Sequence, residues 1–413
     1  MMTREVLHCD LNNFYASCEV AQNPDLVGKP VAVSGNPEKR HGIILAKSEL
    51  AKRAGVKTGE AIWQARQKCH DLILVPPHFE LYSRYSKMVR DIYCTYSDRV
   101  ESFGMDECWL DVTGSRRLFG SGEEIAYKIK EQVKRETGLT ISVGVSWNKI
   151  FAKLGSDLKK PDAVTVISPA NFREKIWPLP ATDLFMIGGR TGKKLSLLNI
   201  RTIGDLANAD EGLLNVHFGI LGSAMKRNAL GLDGAEVMFA HESHLEKSLG
   251  NGTTMPADAH TEAELKPVVY ALAESVATRM RKKDFLAFGV SIAVKNTELH
   301  TITRQRVLTT PTDTAAELAE TAMALFRENY NLDTMLPVRM ITVSVYNLVR
   351  RAGPVQTSMF DEKSERQSRL EHSVDQIRQK YGYDAVKRGI VLGSFHCDNL
   401  YSDDENTIPF HRH

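Results

Sequence analysis

A multidomain fold of mixed α/β and α+β character follows from three features of the chain. Its 413 residues exceed the roughly 250 to 300 at which a single core stops growing, so several domains are expected. Short apolar strands alternate with amphipathic stretches up to about residue 168, and a second strand-and-helix region occupies the later part. Between the two lie short helical segments without a strand signal. An apolar share of 42% against a charged share of 25% is the profile of a globular chain with ample core material.

The first strand, VLHCD, ends at Asp10, and a helix is expected from about Asn13. PVAVSG reads as a second strand, GIILAKSELAKRAGV as a strand running into a short helix, and AIWQARQKC as another helix before the apolar run LILVPP. LYSRYSKMVRDIYCTYS has helical spacing, VESFGMDECWLDVT forms two strands around a turn, and EEIAYKIKEQVKRETG is an amphipathic helix. In TISVGVSWNKIFAKLGSDL the apolar period changes from two to about 3.6, a strand passing into a helix. One mixed sheet with helices packed on it is the expected result.

After PDAVTVISP come NFREKIWPL, MIGGRTGKKLSLLNI and RTIGDLANAD, a small helical domain. Two glycines, basic residues and a second helix start at Thr202 suit a helix-hairpin-helix, whose amides can hold a DNA phosphate. A plain αα-hairpin reads the same way. Polar residues from about Gly234 to Leu249 form a linker. Beyond it, ELKPVVYALAESVATRMRKK is helical, FGVSIAVKN and HTITRQRVLT are strands, AELAETAMALFREN is a helix and VRMITVSVYNLV a strand, which makes a second α/β sandwich. The tail carries a polar loop, a charged helix around SRLEHSVDQIRQKYG and the apolar run GIVLG, with mobility expected over the last dozen residues.

Six cysteines (Cys9, Cys18, Cys69, Cys94, Cys108, Cys397) without a CxxC pair argue against a zinc site or a disulfide framework, and a reducing cytoplasm is the expected setting. The opening MMTREVLHCD is not a secretory leader, and no apolar run is long enough to span a membrane. A net charge of +2 does not announce nucleic-acid binding, so charge distribution must carry that argument.

Three acids sit where chain geometry can bring them together: Asp10 at the end of the first strand, and Asp106 with Glu107 in a turn before another. Clustered carboxylates raise one another's pKa unless cations offset them, so such a trio makes physical sense around hard, oxygen-seeking metals, magnesium above all. Taken alone, the same acids could equally be surface carboxylates near turns.

HCDLNNFYASCE, followed about a hundred residues later by ESFGMDECWLDVT, resembles the first and third palm motifs of the Y-family lesion-bypass DNA polymerases. AKSELAKRAGVKTGEAIWQA, between them, is similar to the fingers segment of that family, and SVGVSWNKIFAKLGSDLKKPDAVTVI to the palm segment that follows. The resemblance covers residues 4 to 233 strongly and the later sandwich more loosely, and within the family it is greatest to the DinB, or DNA polymerase IV, type.

That resemblance implies a right-hand polymerase: a palm at 1–12 and 78–168, small fingers at 13–77, a helical thumb at 169–233, a linker at 234–246, a little-finger α/β sandwich at 247–351 and a tail at 352–413. Asp10, Asp106 and Glu107 match the ligands of two magnesium ions, and Leu11 the position that offers a backbone carbonyl. Phe14 and Tyr15 match the aromatic pair under the incoming sugar, with Tyr15 as the steric gate against a ribose hydroxyl. Lys160 matches the lysine that reaches the triphosphate, while Lys159 is a solvated neighbour.

One departure concerns the nucleotide grip. Where the family commonly has a tyrosine and, three residues on, an arginine, this chain has Glu49 and Lys52. Lys52 keeps the charge without the bidentate fork, Glu49 must point away from phosphate, and Ser48 is a candidate for the lost hydroxyl contact.

Basic residues of the later sandwich, Arg279, Arg281, Lys282, Lys283, Arg304 and Arg306, with Arg350 and Arg351 at a strand exit, are candidates to track DNA phosphates. Gln356, Met359 and Phe360 in VQTSMFD resemble the peptide by which bacterial polymerases dock on the replicative sliding clamp. Small fingers and thumb imply an open site that tolerates damaged templates, and hence error-prone translesion synthesis by a monomer on primer–template DNA with deoxynucleoside triphosphates. The rival readings are a cyclase-like nucleotidyltransferase, which needs no primer, and a catalytically silent DNA-binding scaffold.

Overall fold

In the computed structural model, which describes residues 4–36, 42–242, 246–351, 362–382, 385–392 and 394, the apolar strand that ends at Asp10 becomes the middle of a sheet. The chain divides into two units, one formed by residues up to about 242 and one by those from 246 onward.

The first unit begins with β1 (Val6–Leu11), α1 (Phe14–Gln22), β2 (Val31–Ser34), β3 (Ile44–Lys47), α2 (Glu49–Arg53), α3 (Ile62–Lys68) and β4 (Ile73–Val75). It continues through α4 (Phe79–Cys94), β5 (Val100–Phe103), β6 (Glu107–Asp111), α5 (Arg116–Phe119), α6 (Gly122–Thr137), β7 (Ile141–Ser146), α7 (Lys149–Leu158) and β8 (Val164–Val166). The sheet order β5-β6-β1-β7-β8 is antiparallel except for β7 with β8, so the expected mixed sheet is present. Strands β3-β2-β4 form a separate small sheet with a core of its own around Ile44, Val56 and Ile62.

Side chains alternate across β1 and β6. Leu7, Cys9, Cys108 and Leu110 pack into a core with Tyr82 and Tyr93 of α4 and Ile125 and Ile129 of α6. His8, Asp10, Glu107 and Trp109 face the other way, toward α7. That helix starts where Asn148 accepts the Phe151 N–H at 2.8 Å, which caps its first turn. It lies unusually close to the sheet because Gly144 of β7 has no side chain: a Cβ there would stand 1.9 Å from the Ala152 carbonyl oxygen and 2.5 Å from the Ser156 nitrogen. The close approach decides how far the side chains of α7 must reach.

Helices α8 (Phe172–Ile176), α9 (Gly189–Leu197), α10 (Ile203–Asn208), α11 (Glu211–Phe218) and α12 (Ile220–Ala229) gather around Ile176, Leu195, Ile203, Leu206 and Leu214. Thr202 caps α10 through a reciprocal box with Asp205, as the helix start expected there requires.

The second unit runs β9 (Ser248–Ala259), α13 (Glu262–Lys282), β10 (Phe285–Asn296), β11 (Thr301–Thr312), α14 (Ala315–Asn329), β12 (Val338–Arg350) and α15 (Glu362–Tyr381). Its antiparallel sheet has the order β11-β10-β12-β9. Strand β9 begins inside the stretch read as linker: Gly250, Gly252 and Pro256 are poor strand formers, and its ladder to β12 supplies what propensity does not. Helices α13 and α14 cover one face, over Val290, Ile292, Ile341 and Val343. Helix α15 is held to α13 by a buried ionic cluster, Arg281 with Glu371 at 2.6 Å and Asp375 at 2.6 Å.

Gly144→Ala should cost on the order of 3 kcal/mol or more by overpacking against the α7 backbone. Denaturant unfolding of the variant measures this, and a transition unchanged from wild type would refute the close-approach reading.

Candidate active site

Register places the acids. Asp10 lies directly opposite Glu107 in the β1–β6 ladder, and the Leu11 N–H donates to the Asp106 carbonyl at 3.0 Å, which draws the turn against the end of β1. The turn itself closes through Gly104 at φ 77°, a conformation that favours glycine. Asp10, Asp106 and Glu107 therefore lie together at one end of the β1–β6 strand pair.

Convergence has an electrostatic cost that the site offsets unevenly. Burial lifts the Asp106 carboxyl to about 7, and the charges of Asp10 and Glu107 add to the lift. Burial also raises Asp10; Lys160 opposes this and Glu107 adds to it. Burial would raise Glu107 too, yet its hydrogen bond with His8 and the ammonium of Lys153 hold it down at about 2.

The cations come from α7 and the residues just past it. Lys149 donates to Glu101 at 2.6 Å and lies over the Trp109 ring, Lys153 donates to Glu107, Ser156 meets His8, and Lys160 donates to Asp10 at 2.6 Å and to Asp157 at 2.9 Å. Lys149, Lys153 and Ser156 share one helix face by their spacing of four and three residues. Asp106 makes no ion pair among the described residues.

Among those residues no three His, Cys, Asp or Glu side chains are drawn into a cage around one point, and lysines pair with Asp10 and Glu107. The donor set nevertheless fits a divalent cation. It is all carboxylate oxygen, which hard cations prefer, and Asp106 at about 7 marks a cluster still short of positive charge.

Beside the acids, the Tyr15 ring stacks on Tyr82 with centroids 4.2 Å apart and an interplanar angle of 12°, and meets Phe79 edge-on at 6.0 Å. Its hydroxyl points to Met105 Sδ at 3.7 Å. Tyr82 is buried, and its hydroxyl donates to the buried Glu19, which also meets His78 Nδ1 at 2.9 Å. Phe14 is buried next to Tyr15, with centroids 5.4 Å apart.

Several expected contacts require correction. Ser48 caps α2: its hydroxyl accepts from the Val31 N–H at 3.0 Å and the Ala51 N–H at 3.4 Å, so the backbone takes up the group assigned to the nucleotide. Glu49 lies between Lys52 at 3.9 Å and Arg53 at 3.5 Å, which tempers its charge. In the second unit Arg281 is 7% exposed and anchors α15, so it cannot track phosphates. At about 100° per residue, Arg279 shares a helix face with Lys282 and with Lys283, the C-cap residue of α13, while Arg281 points away from that face.

Arg279 donates to the Gly250 carbonyl at 2.6 Å, and Lys283 pairs with Glu246. Arg304 and Arg306 do share one face of β11. It is the face of Ile292 and Val290, and the two arginines fold onto Asn329 and Glu328 at the end of α14. Arg350 lies over Phe285, and Arg351 pairs with Asp313. Gln356, Met359 and Phe360, like the last dozen residues, lie outside the described residues.

Known proteins carry the same framework. The impB/mucB/samB family model matches residues 9–157 and the model of that family's C-terminal domain matches residues 246–359. DNA polymerase IV of Acetivibrio thermocellus is 46% identical over 393 residues, 95% of this chain and 98% of the relative. The chain belongs to the impB/mucB/samB family. DNA polymerase IV 1 of Bacillus subtilis, another member, is 35% identical over 396 residues, 94% of each chain. A solved Y-family DNA polymerase chimera, Dbh-Dpo4(243-245)-Dbh, superposes with a TM-score of 0.75 at 24% identity, over 84% of this chain and 99% of the other, and supports the fold. Helix α15 begins past the end of the family's C-terminal match.

Sequence reading missed His8, Lys153 and Tyr82. His8 is two residues before Asp10 and so shares its strand face, and Lys153 is four residues after Lys149 on α7 and so shares its helix face, so both were open to period counting. Tyr82 had no such signal, because its contact with Tyr15 is set by how α4 packs on α1.

A pH dependence follows from Asp106 at about 7. A metal must displace its proton below that pH, so metal affinity should rise with pH up to about 7 and level off above it. The unfolded carboxyl titrates near 3.9, so the folded metal-free protein binds the extra proton between these values and loses stability as pH rises from about 4 to 7. Asp106→Asn should abolish both slopes in metal titration and thermal unfolding; slopes that persist would place the titrating group elsewhere.

Proposed function

We propose that this DNA-directed DNA polymerase adds deoxynucleotides to a primer 3′ end by two-metal phosphoryl transfer and serves damage tolerance by copying past lesions with low fidelity. The observation that carries the reading is the convergence of Asp10, Asp106 and Glu107 at paired strand ends, flanked by two lysines. Two magnesium ions held by these acids and the Leu11 carbonyl would activate the primer hydroxyl and stabilise the leaving pyrophosphate.

The chain's own groups do the rest. Lys160, which lies against Asp10, has a strongly hydrated ammonium suited to triphosphate oxygens once Asp10 has another cation. Lys52, exposed on α2, supplies a second charge. The Tyr15 ring, fixed by its stack on Tyr82, would stand against C2′ of the incoming sugar and exclude a ribose hydroxyl.

We assign the palm to 1–12 and 78–168, fingers to 13–77, thumb to 169–233 and little finger to 247–351. The β2–β4 sheet with α2 and α3 is too small to close tightly over a base pair, which favours tolerance of damaged templates. The sheet face of the second unit not covered by α13 and α14 presents Thr303, Gln305, Thr342 and Ser344 by register, small polar groups suited to sequence-independent contact with a DNA backbone.

Primer extension with magnesium tests the chemistry. Asp106→Ala and Glu107→Ala should each lower extension by a factor of about a thousand or more, as loss of charge stabilisation at a reacting centre does. Tyr15→Ala should admit ribonucleotides. Product made without primer and template would favour a cyclase, and full extension by both acid variants would remove the mechanism.

Residence on DNA is proposed to depend on the sliding clamp through Gln356, Met359 and Phe360, a link that raises local concentration without new catalytic contacts. Deletion of 356–360 should spare basal extension and abolish stimulation by the clamp; stimulation that survives would dismiss the docking peptide.

A further inference from the structure

His8 is fully buried, and both of its ring nitrogens have partners. Nδ1 is 2.8 Å from Ser156 Oγ on α7, and Nε2 is 3.0 Å from Glu107 Oε2 on β6. Trp109 stands edge-on to the ring, with centroids 5.1 Å apart. A neutral imidazole that donates from Nε2 to the Glu107 carboxylate accepts at Nδ1 from the Ser156 hydroxyl, whose Oγ also lies 2.8 Å from the Lys153 carbonyl oxygen, and Lys153 donates to the same Glu107 oxygen that His8 meets.

Glu107 has more need of such support than Asp10 or Asp106. Its longer side chain has an extra torsion, and a glutamate loses more rotamer freedom when it is fixed. Two partners on Oε2, one from the sheet and one from the helix, select one carboxylate orientation and leave Oε1 as the oxygen that neither engages.

We propose that His8 is a positioning residue for Glu107: a Ser156–His8 bridge between α7 and β6 sets the carboxylate in the orientation that receives a divalent cation. The inference rests on the two-metal reading above. It assigns His8 no contact with substrate.

The test is manganese binding by the full-length protein on a dideoxy-terminated primer–template with the next correct nucleotide, followed by electron paramagnetic resonance without turnover. His8→Phe, which keeps the ring's bulk and removes both polar contacts, should weaken manganese binding by about tenfold or more, the usual effect of losing a ligand's supporting hydrogen bond. Affinity for the primer–template should be unchanged. His8→Gln, which restores a donor, should return manganese binding to within about threefold of wild type.

Thermal unfolding reports whether each variant is folded. Should His8→Phe not fold, Ser156→Ala keeps the imidazole and frees Nδ1, and a smaller loss in the same direction is expected. Wild-type manganese binding in folded His8→Phe or Ser156→Ala, or a folded His8→Gln no better than His8→Phe, would overturn the assignment. Failure of the wild type itself to bind manganese would instead overturn the two-metal reading.

Discussion

Three carboxylates at the end of one antiparallel strand pair repel one another, and the first unit is arranged to offset that repulsion. Lys160 offsets Asp10, Lys153 and His8 offset Glu107, and Asp106 is left with its carboxyl lifted to about 7. An uncompensated charge in such a place costs several kcal/mol, so Lys160 and Lys153 favour the ionised forms of Asp10 and Glu107, while Asp106 has no such partner among the described residues. On the proposed two-metal reading, Asp10 would pass from Lys160 to a divalent cation, and the ammonium of Lys160 would then be available to phosphate.

Delivery of those cations depends on one helix and one glycine. Gly144 lets the α7 backbone lie against β7, and from that distance Lys149, Lys153 and Ser156 reach Glu101, Glu107 and His8 in succession. A helix standing off by the thickness of a side chain could not bring both a lysine and a serine hydroxyl into the acid row. Packing and electrostatics are thus one problem in this unit. The opposite face of the same strands carries Leu7, Cys9, Cys108 and Leu110 into an apolar core, which fixes the register on which Asp10 and Glu107 depend.

Much of this could be read from the chain, because the governing signals are short-range. The period-two run into Asp10, the turn at Gly104 before Asp106, and the change of period at Asn148 each specify an element and its facing. What could not be read depends on contacts between elements. Ser48 reads as a free hydroxyl until the cap of α2 takes it up, and Arg281 as a surface charge until α15 covers it with Glu371 and Asp375. Strand β9 is hidden by its glycines and proline, since its place comes from β12.

The central claim, that Asp10, Asp106 and Glu107 exist to gather divalent cations beside a primer end, is tested most directly by anomalous diffraction from crystals of the full-length protein. Manganese, primer–template and a non-hydrolysable nucleotide would complete the complex. The account predicts two anomalous peaks about 4 Å apart, the spacing of two-metal phosphoryl transfer, bounded by the three carboxylates, with Lys160 moved from Asp10 to the phosphates. Peaks placed elsewhere, or acids still paired with Lys153 and Lys160 in a complete complex, would contradict it.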